Sequence, residues 1–220
     1  MINCEKLSIQ DRLSVNSFSF ESGHCGVIGP NGAGKSSFLK AIANLVDFNG
    51  KCLVEGDVAY CGDSASIQTD MDAQEVMSYA RGSKAQDLAY LNKLIKHFNF
   101  ENLLTRRVST LSGGERQRLN LICAFYYDCK FTLLDEPTNY LDPIYVERLR
   151  CFLQEYKKSC FVVSHDFNFI INICDRLVAF EDSQMSFDST VDEAVSTKIF
   201  DKIFHKNFNY HVIDNKRYIL

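Results

Sequence analysis

The 220-residue sequence lacks several features that would indicate other classes of protein. No apolar run approaches the roughly 18 residues that a bilayer-spanning helix needs, so we expect no membrane span. Acidic residues, Glu5 and Asp11, occupy the N-terminal region, where a secretory signal would need a basic end followed by an apolar segment. Repeats and low-complexity segments are also absent. We therefore expect a cytoplasmic globular domain.

The sequence also has little from which to build a metal site or a disulfide framework. Its nine cysteines are an odd number, no two are spaced as C-x-x-C, and its five histidines are scattered. We expect reduced cysteines that serve as small apolar core residues, among them Cys25, Cys123 and Cys174. The formal net charge of −4 argues against a nucleic-acid partner, because phosphate-binding surfaces are usually basic.

A glycine-rich segment at 29–36 carries the clearest chemical signal. It reads GPNGAGKS, matches the G-x-x-x-x-G-K-[ST] pattern of phosphate-binding loops, and lies between the apolar run 25–28 and a helix expected at 35–45. Backbone amides of such a loop bind the β-phosphate, Lys35 neutralises phosphate oxygens, and the Ser36 hydroxyl binds Mg²⁺. The sequence therefore predicts an ATP site with Mg²⁺ as cofactor, formed by Gly29, Pro30, Asn31, Gly32, Ala33, Gly34, Lys35, Ser36 and Ser37.

Polar residues follow two later apolar strands, expected at 131–134 and 160–163. Asp135 and Glu136 end the first strand, and neighbouring strand residues face opposite sides, so we expect different roles for them. Asp135 fits a direct or indirect ligand of Mg²⁺, and Glu136 fits a catalytic residue that orients or deprotonates water. His165 follows the second strand, where a ring nitrogen can point at the γ-phosphate.

The segment 111–119, LSGGERQRL, predicts the start of a helix. No phosphate is expected locally at the N-terminus of this helix. Ser112 and Glu115 are spaced as a capping box. Gly113 and Gly114 cost the first turn roughly 1 kcal/mol each relative to alanine. In return they leave a helix N-terminus without side chains, whose amides can touch an anion.

The remaining pattern indicates α/β organisation. We expect strands at 13–20 and 52–60. Helices are expected at 73–80 and 84–98, and two more begin at Pro143 and Asp166. We assign the nucleotide-binding α/β core to 1–62 and 129–190, a helical subdomain to 63–128, and a C-terminal helix and hairpin to 191–220.

Taken in this order, the motifs resemble the ATP-binding-cassette (ABC) ATPases over essentially the whole chain. The resemblance implies the ABC ATPase fold: an α/β P-loop NTPase with a RecA-like core, an antiparallel β subdomain and an inserted α-helical signature subdomain. Residues 139–142 would be the D-loop, which includes Asp142. It also implies a head-to-tail homodimer, in which the ATP bound by one copy contacts the signature residues of the other, Leu111, Ser112, Gly113, Gly114 and Glu115.

Two positions depart from the family pattern. The family usually has a glutamine that contacts Mg²⁺ and the attacking water, where this sequence has Asp63, which cannot donate an amide hydrogen bond. Gln68 is an alternative for that position. No aromatic residue lies between 8 and 17, where the family commonly stacks adenine, so Ile9 or Leu13 would pack the base. Because of Asp63, a cassette that binds ATP with weak turnover is an alternative interpretation.

The segment 191–220 is similar to the tail of importer ATPases for cobalamin, haem and iron siderophores. That similarity implies a peripheral protein on the inner face of the membrane, with a separate membrane permease and a periplasmic substrate-binding protein. Met71, Met77 and Tyr79 would form a docking surface for the permease, unless they belong to the core. Residues 137–142 and 164–166 also resemble soluble cassette proteins that act in translation, and that interpretation stays open.

Overall fold

The computed structural model describes residues 1–62, 69–213 and 216–220. Asp63 and Gln68 lie outside the described residues, so what replaces the family glutamine stays a prediction.

One large sheet organises the described residues. Its strands, together with a C-terminal hairpin, are in chain order β1 (Ile2–Ile9), β2 (Leu13–Phe20), β3 (His24–Ile28), β4 (Asn49–Val54), β5 (Val58–Cys61), β6 (Phe131–Asp135), β7 (Ser159–Val163), β8 (Arg176–Glu181), β9 (Gln184–Thr190), β10 (Tyr210–Ile213) and β11 (Lys216–Ile219). The sheet has nine strands in the order β4-β1-β2-β9-β8-β3-β7-β6-β5, and β10 pairs with β11. The strands from β8 to β5 pair in parallel, whereas β4, β1 and β2 pair antiparallel. The α/β fold with an antiparallel β region is therefore confirmed.

Helices cover the sheet and form a separate helical region. In chain order they are α1 (Lys35–Ile42), α2 (Ala73–Ala80), α3 (Leu88–His97), α4 (Gly113–Tyr126), α5 (Pro143–Glu155), α6 (Phe167–Ile173), α7 (Val191–Ser196) and α8 (Ile199–Phe204). Local chemistry explains several starts: Asp72 and Ser112 form capping boxes, Asp166 caps α6, and α5 has proline at its first position. No described helix is both long and apolar enough to cross a membrane.

Alternation along the parallel strands divides the apolar core into two layers. In β7, Phe161 and Val163 face a cluster that surrounds α1, while Cys160 and Val162 face the cluster beneath the other helices. Because side chains of a strand point alternately to its two faces, one buried strand contributes to both layers. The parallel strands are therefore held from both sides, which fixes the loops at their ends.

Two helices differ from their expected bounds. The helix α1 stops at Ile42 rather than 45, and Asn44 then takes a left-handed backbone conformation (φ 55°) that ends helical geometry. The helix α3 begins at Leu88 rather than 84, because the Asp87 side chain caps it by accepting from the Tyr90 amide.

The residues expected to dock a permease divide between core and surface. Met77 is buried (1% exposed) and belongs to the core, so it cannot dock a partner. Met71 (40% exposed) and Tyr79 (71%) remain on the surface.

Candidate nucleotide-binding site

The phosphate-binding loop follows β3 and continues into α1, as expected. Gly29 and Gly34 both have positive φ, 149° and 102°, which side chains rarely tolerate. A Cβ at Gly29 would lie 2.3 Å from the carbonyl oxygen of Phe180, and one at Gly34 would lie 2.4 Å from that of Arg12. The backbone of Phe180 and that of Arg12 therefore pack against the loop, and positions 29 and 34 require glycine.

Lys35 lies inside this loop rather than in solvent. Its ammonium donates to the carbonyl oxygens of Gly29 (2.8 Å) and Pro30 (2.9 Å), and the residue is 7% exposed. Burial lowers the pKa of Lys35, while Glu136 and Asp135 nearby favour its charged form. A buried ammonium held only by carbonyls has donor capacity for an anion at the mouth of the loop.

Ser36 and Asp135 meet across the site, although they are distant in sequence. The Ser36 hydroxyl donates to Oδ1 of Asp135 at 3.0 Å, and the Tyr60 hydroxyl donates to Oδ2 at 2.8 Å. These oxygens belong to the hard donor class that Mg²⁺ prefers, and Mg²⁺ sites usually combine one or two carboxylates with substrate phosphates. The pair therefore fits the predicted Mg²⁺ site. Tyr60 was not predicted, because only the pairing of β5 with β6 brings it to Asp135.

Glu136 and His165 also come together. Glu136 follows β6 with a left-handed backbone (φ 53°), while its amide still donates to the Val163 carbonyl of β7 at 2.9 Å. Oε2 accepts from the His165 amide at 3.3 Å. Oε1 is buried and lies 3.2 Å from Nε2 of His165, but the two atoms are not aligned for a hydrogen bond. One carboxylate oxygen is thus fixed, and the other accepts no hydrogen bond from the described residues.

Burial shifts the acid–base properties of both residues. It raises the pKa of Glu136, against the lowering effects of the His165 amide and Lys35. Burial also lowers the pKa of His165, and the charge of Lys35 adds to that shift. Glu136 is therefore a stronger proton acceptor than an exposed glutamate, and His165 is neutral near pH 7.

Two adjacent cavities meet at these residues. One, of about 440 Å³, is lined by the phosphate loop together with Arg12, Ser37, Glu136 and His165. The other, of about 210 Å³, is lined by Ser36, Gly62, Gln117, Asp135, Glu136, Asn139 and Tyr140. Ser36 and Glu136 line both, so the predicted phosphate and catalytic residues form one continuous site.

Arg12 extends this site toward the region expected to hold the base. It also lines a neighbouring cavity of about 640 Å³, whose wall includes Ile9 and Phe48. Leu13 is 2% exposed and lies in the core, so of the two residues expected to pack adenine only Ile9 lies at a cavity. Phe48 follows α1 rather than β1, so it lies outside the segment 8–17 in which the family pattern would place an aromatic residue.

The signature segment begins α4 as predicted but lines neither of the two cavities at the phosphate loop. The capping box is present: Glu115 Oε2 accepts from the Ser112 amide at 2.7 Å, and Ser112 Oγ accepts from the Glu115 amide at 3.3 Å. Partial burial opposes ionisation of Glu115, but the bonds to Ser112 and the nearby Arg106 outweigh it and lower the pKa. Ser112 is exposed and Leu111 anchors the segment in the core. Ser112, Gly113 and Gly114 line neither cavity.

The start of α4 packs against the loop that follows Glu136. A Cβ at Gly114 would lie 2.6 Å from the Tyr140 carbonyl oxygen, so Gly114 permits close contact with that loop. The buried Gln117 donates to the Pro137 carbonyl at 3.0 Å. Asp142 ends the loop at the N-cap of α5, and its side chain makes no capping bond there. That carboxylate lies outside both cavities.

Comparison with known proteins agrees with this geometry. The ABC transporter family matches residues 13–139, which include the phosphate loop, the signature segment and both acids. The chain belongs to the ABC transporter family. It is the ATP-hydrolysing subunit of an ABC transporter. The predicted family, enzyme class and fold are therefore confirmed.

Relatives of this ABC ATPase include subunits of uptake systems. The chain is 32% identical over 200 residues to the tungstate uptake system ATP-binding protein TupC of Peptoclostridium acidaminophilum, covering 79% of this chain and 89% of that protein. It is 27% identical over 226 residues to the petrobactin import ATP-binding protein FatE of Bacillus anthracis, covering 88% of each. A metal-chelate type ABC transporter in an inward-facing conformation shares the fold, with a TM-score of 0.83 and 18% identity over 99% of this chain and 95% of that one.

Proposed function

We propose that this ABC ATPase powers import through a separate membrane permease and works as a head-to-tail dimer. The convergence of Lys35, the Ser36–Asp135 pair and Glu136 at the ends of neighbouring strands supports the ATPase part. ATP is the substrate: its β- and γ-phosphates would occupy the loop, next to the buried ammonium. Uptake or import is the function named for two relatives that match 79% and 88% of this chain.

Ser36 and Asp135 would hold Mg²⁺ beside those phosphates, in agreement with the donor pair described above. The ion supplies neutralisation of phosphate charge when bound. Tyr60 keeps one Asp135 oxygen occupied, so the carboxylate presents its other oxygen toward Ser36. We therefore propose Ser36 and Asp135 as the residues that hold the metal and Glu136 as the residue that binds the attacking water.

Glu136 is the proposed catalytic base, and His165 fixes its position. The His165 amide holds Oε2, whereas buried Oε1 accepts no hydrogen bond from the described residues and can accept one from water. The neutral His165 ring faces the same cavity and can donate to the γ-phosphate through one nitrogen. Water would be deprotonated by Glu136 as it attacks phosphorus, and ADP would leave with the charge held by Lys35.

Removing the base while keeping its shape tests the ATPase assignment. We expect Glu136→Gln to bind ATP and accumulate as an ATP-bound dimer, because it binds the nucleotide but cannot accept the proton. Lys35→Ala should lose ATP binding and stay monomeric with ATP. Light scattering after gel filtration measures the mass, and phosphate release measures turnover. Hydrolysis by Glu136→Gln at the wild-type rate would refute the base.

A matched pair at Ser112 tests the proposed dimer. Asp and Asn both cap helices well, so Ser112→Asp and Ser112→Asn should keep α4 equally stable. Only Asp places a negative charge where the other copy's γ-phosphate would lie. ATP-driven dimerisation by the Glu136→Gln chain should therefore be lost with Ser112→Asp and kept with Ser112→Asn, while the isolated chain binds ATP in both. Equal dimerisation by the two variants would contradict the arrangement.

Cargo and partner are addressed by copurification. We propose a cobalamin-, haem- or siderophore-type cargo, supported by the tail comprising α7, α8 and the β10–β11 hairpin and by the relative named for petrobactin import. Exposed Met71 and Tyr79 are the proposed contacts to the permease, and a periplasmic binding protein would deliver the cargo. Recovery of the tagged chain with a polytopic membrane protein supports this proposal. Recovery with ribosomal particles would instead favour a translation-associated cassette, which the segments at 137–142 and 164–166 resemble.

A further inference from the structure

Two cysteines face each other at the edge of the sheet. Cys4 on β1 and Cys52 on β4 are direct partners in the antiparallel register. Met1 and Glu55 are also partners in this register, and the Glu55 amide donates to the Met1 carbonyl at 2.8 Å. Hydrogen-bonded and non-hydrogen-bonded pairs alternate, so Cys4 and Cys52 form a non-hydrogen-bonded pair, the type with the shorter Cα–Cα distance of about 4.5 Å. That distance lies within the range that a disulfide can bridge.

The two thiols are already in contact. Their Sγ atoms lie 3.4 Å apart, and both side chains point to the face packed on α1. Because opposite residues of an antiparallel pair point the same way, only small side-chain rotations separate this contact from the bonded distance of about 2.05 Å. No other pair of thiols in the described part of the chain is hydrogen-bonded, and the Sγ atom of the exposed Cys151 lies beside Glu147 and Arg150.

The pair is asymmetric in a way that suits oxidation. Cys4 is fully buried, whereas Cys52 is half-buried on β4, an edge strand of the sheet. The hydrogen bond between the two sulfur atoms lowers the pKa of Cys52 and raises the pKa of Cys4, and burial adds to the rise at Cys4. Cys52 is therefore the accessible thiol that loses its proton more readily, and Cys4 is the protonated neighbour behind it.

We propose that Cys4 and Cys52 are an oxidative modification site, at which hydrogen peroxide converts the thiol pair into a disulfide. The Cys52 thiolate attacks one peroxide oxygen, the O–O bond breaks, and a sulfenic acid and hydroxide form. The hydroxide takes up the proton that Cys52 had released and becomes the first water. The Cys4 sulfur then attacks the Cys52 sulfur, the S–O bond breaks, and the departing hydroxide leaves as water with the Cys4 proton. Two thiols are oxidised, one hydrogen peroxide is reduced, and two molecules of water form.

The location gives the disulfide a structural consequence. It would close a loop that contains β1, β2, β3, the phosphate-binding loop and α1, and it would fasten β4 to the sheet. Cross-links that close long loops restrict the unfolded chain most strongly. Oxidation should therefore stabilise the part of the fold that positions the phosphate loop, and reduction by a dithiol should reverse the effect.

Peroxide treatment of the full chain tests the proposal. One equivalent of hydrogen peroxide, followed by alkylation of remaining thiols and peptide mass spectrometry, should reveal a Cys4–Cys52 linked peptide. The thiol count should fall by two, Tm should rise by roughly 5 °C or more, and dithiothreitol should restore both values. Cys52→Ser should show neither change, and it avoids placing a hydroxyl at the fully buried Cys4.

Cys151→Ser is the matched control, because it removes the most exposed thiol and leaves the pair intact. It should form the same linked peptide and show the same Tm rise as the unmodified sequence. Absence of the linked peptide, linkage through other cysteines, or cross-links between chains would overturn the proposal. An unchanged Tm in the linked chain would overturn the stabilising role. The test needs no nucleotide, so its outcome is independent of the proposed import function.

Discussion

Two constraints require glycine in the phosphate loop: a positive φ and close contact with neighbouring backbone. Replacing single glycines by alanine separates these two effects. Gly29 has a positive φ, and its missing Cβ would meet the Phe180 carbonyl oxygen at 2.3 Å. Gly32 also has a positive φ of 80°, but a Cβ there would meet no atom within 4 Å. Gly32→Ala therefore introduces backbone strain alone, whereas Gly29→Ala adds a collision with a buried strand. The two variants form a matched pair.

The expected free energies follow from these contacts. A left-handed residue with a Cβ costs about 1–2 kcal/mol, and the lower entropy of the unfolded alanine chain returns about 0.4–1 kcal/mol. Gly32→Ala should thus lower the free energy of unfolding by about 1 kcal/mol. Gly29→Ala adds an overpacking cost of about 1–3 kcal/mol, because the Phe180 backbone in β8 cannot move aside. We therefore expect Gly29→Ala to lower the free energy of unfolding by about 1–3 kcal/mol more than Gly32→Ala does.

Urea denaturation followed by far-ultraviolet circular dichroism measures both values, and it suits a chain without tryptophan. ATP binding should respond differently, because Gly32 lines the phosphate cavity and its added methyl group reaches into open space there. Gly32→Ala should weaken ATP binding at least tenfold despite its small effect on stability. If Gly32→Ala were as destabilising as Gly29→Ala, the collision with Phe180 would not be what requires glycine at 29.

Three further predictions concern single side chains. Because burial raises the pKa of Glu136, single-turnover hydrolysis should fall as pH decreases through that raised value, and a flat acidic limb would exclude Glu136 as the base. Gln117→Leu should lower the free energy of unfolding by about 1–3 kcal/mol in urea titrations, because the buried Pro137 carbonyl loses its hydrogen-bond donor. An unchanged free energy of unfolding would show that this hydrogen bond does not stabilise the fold. Lys35→Met should abolish ATP binding in calorimetry. It should lower Tm only slightly, because removing a buried, poorly solvated ammonium offsets the loss of its hydrogen bonds. A large decrease in Tm would assign Lys35 a structural role.

Local signals in the sequence predicted the elements that carry the motifs. The Ser112–Glu115 capping box and Pro143 at the first position of α5 each act within one helical turn, and each was correct. A helix was expected from Asp166, and the structure makes Asp166 the cap of α6, which begins at Phe167. The strand β2 was predicted with the bounds that the structure gives it, because its apolar residues alternate.

Non-local contacts were not predictable in the same way. Neither β1 nor the antiparallel pair β8–β9 was predicted, and the order of strands depends on partners far apart in sequence. The same limit applies to the site. Tyr60 reaches Asp135 because β5 pairs with β6, and the Arg12 carbonyl comes close to the loop at Gly34. The register of β1 and β4 also brings Cys4 to Cys52, although their spacing carries no pattern.

The loop that follows Glu136 is joined to the start of α4, because Gln117 donates to the Pro137 carbonyl and Gly114 packs on Tyr140. In the proposed dimer Ser112 contacts the other copy's nucleotide. A displacement of Glu136 when the γ-phosphate leaves would reach Ser112 through these contacts, so occupancy of one site would alter ATP affinity at the second. Such linkage is reciprocal. The two sites of a pair should then bind ATP with a Hill coefficient above one.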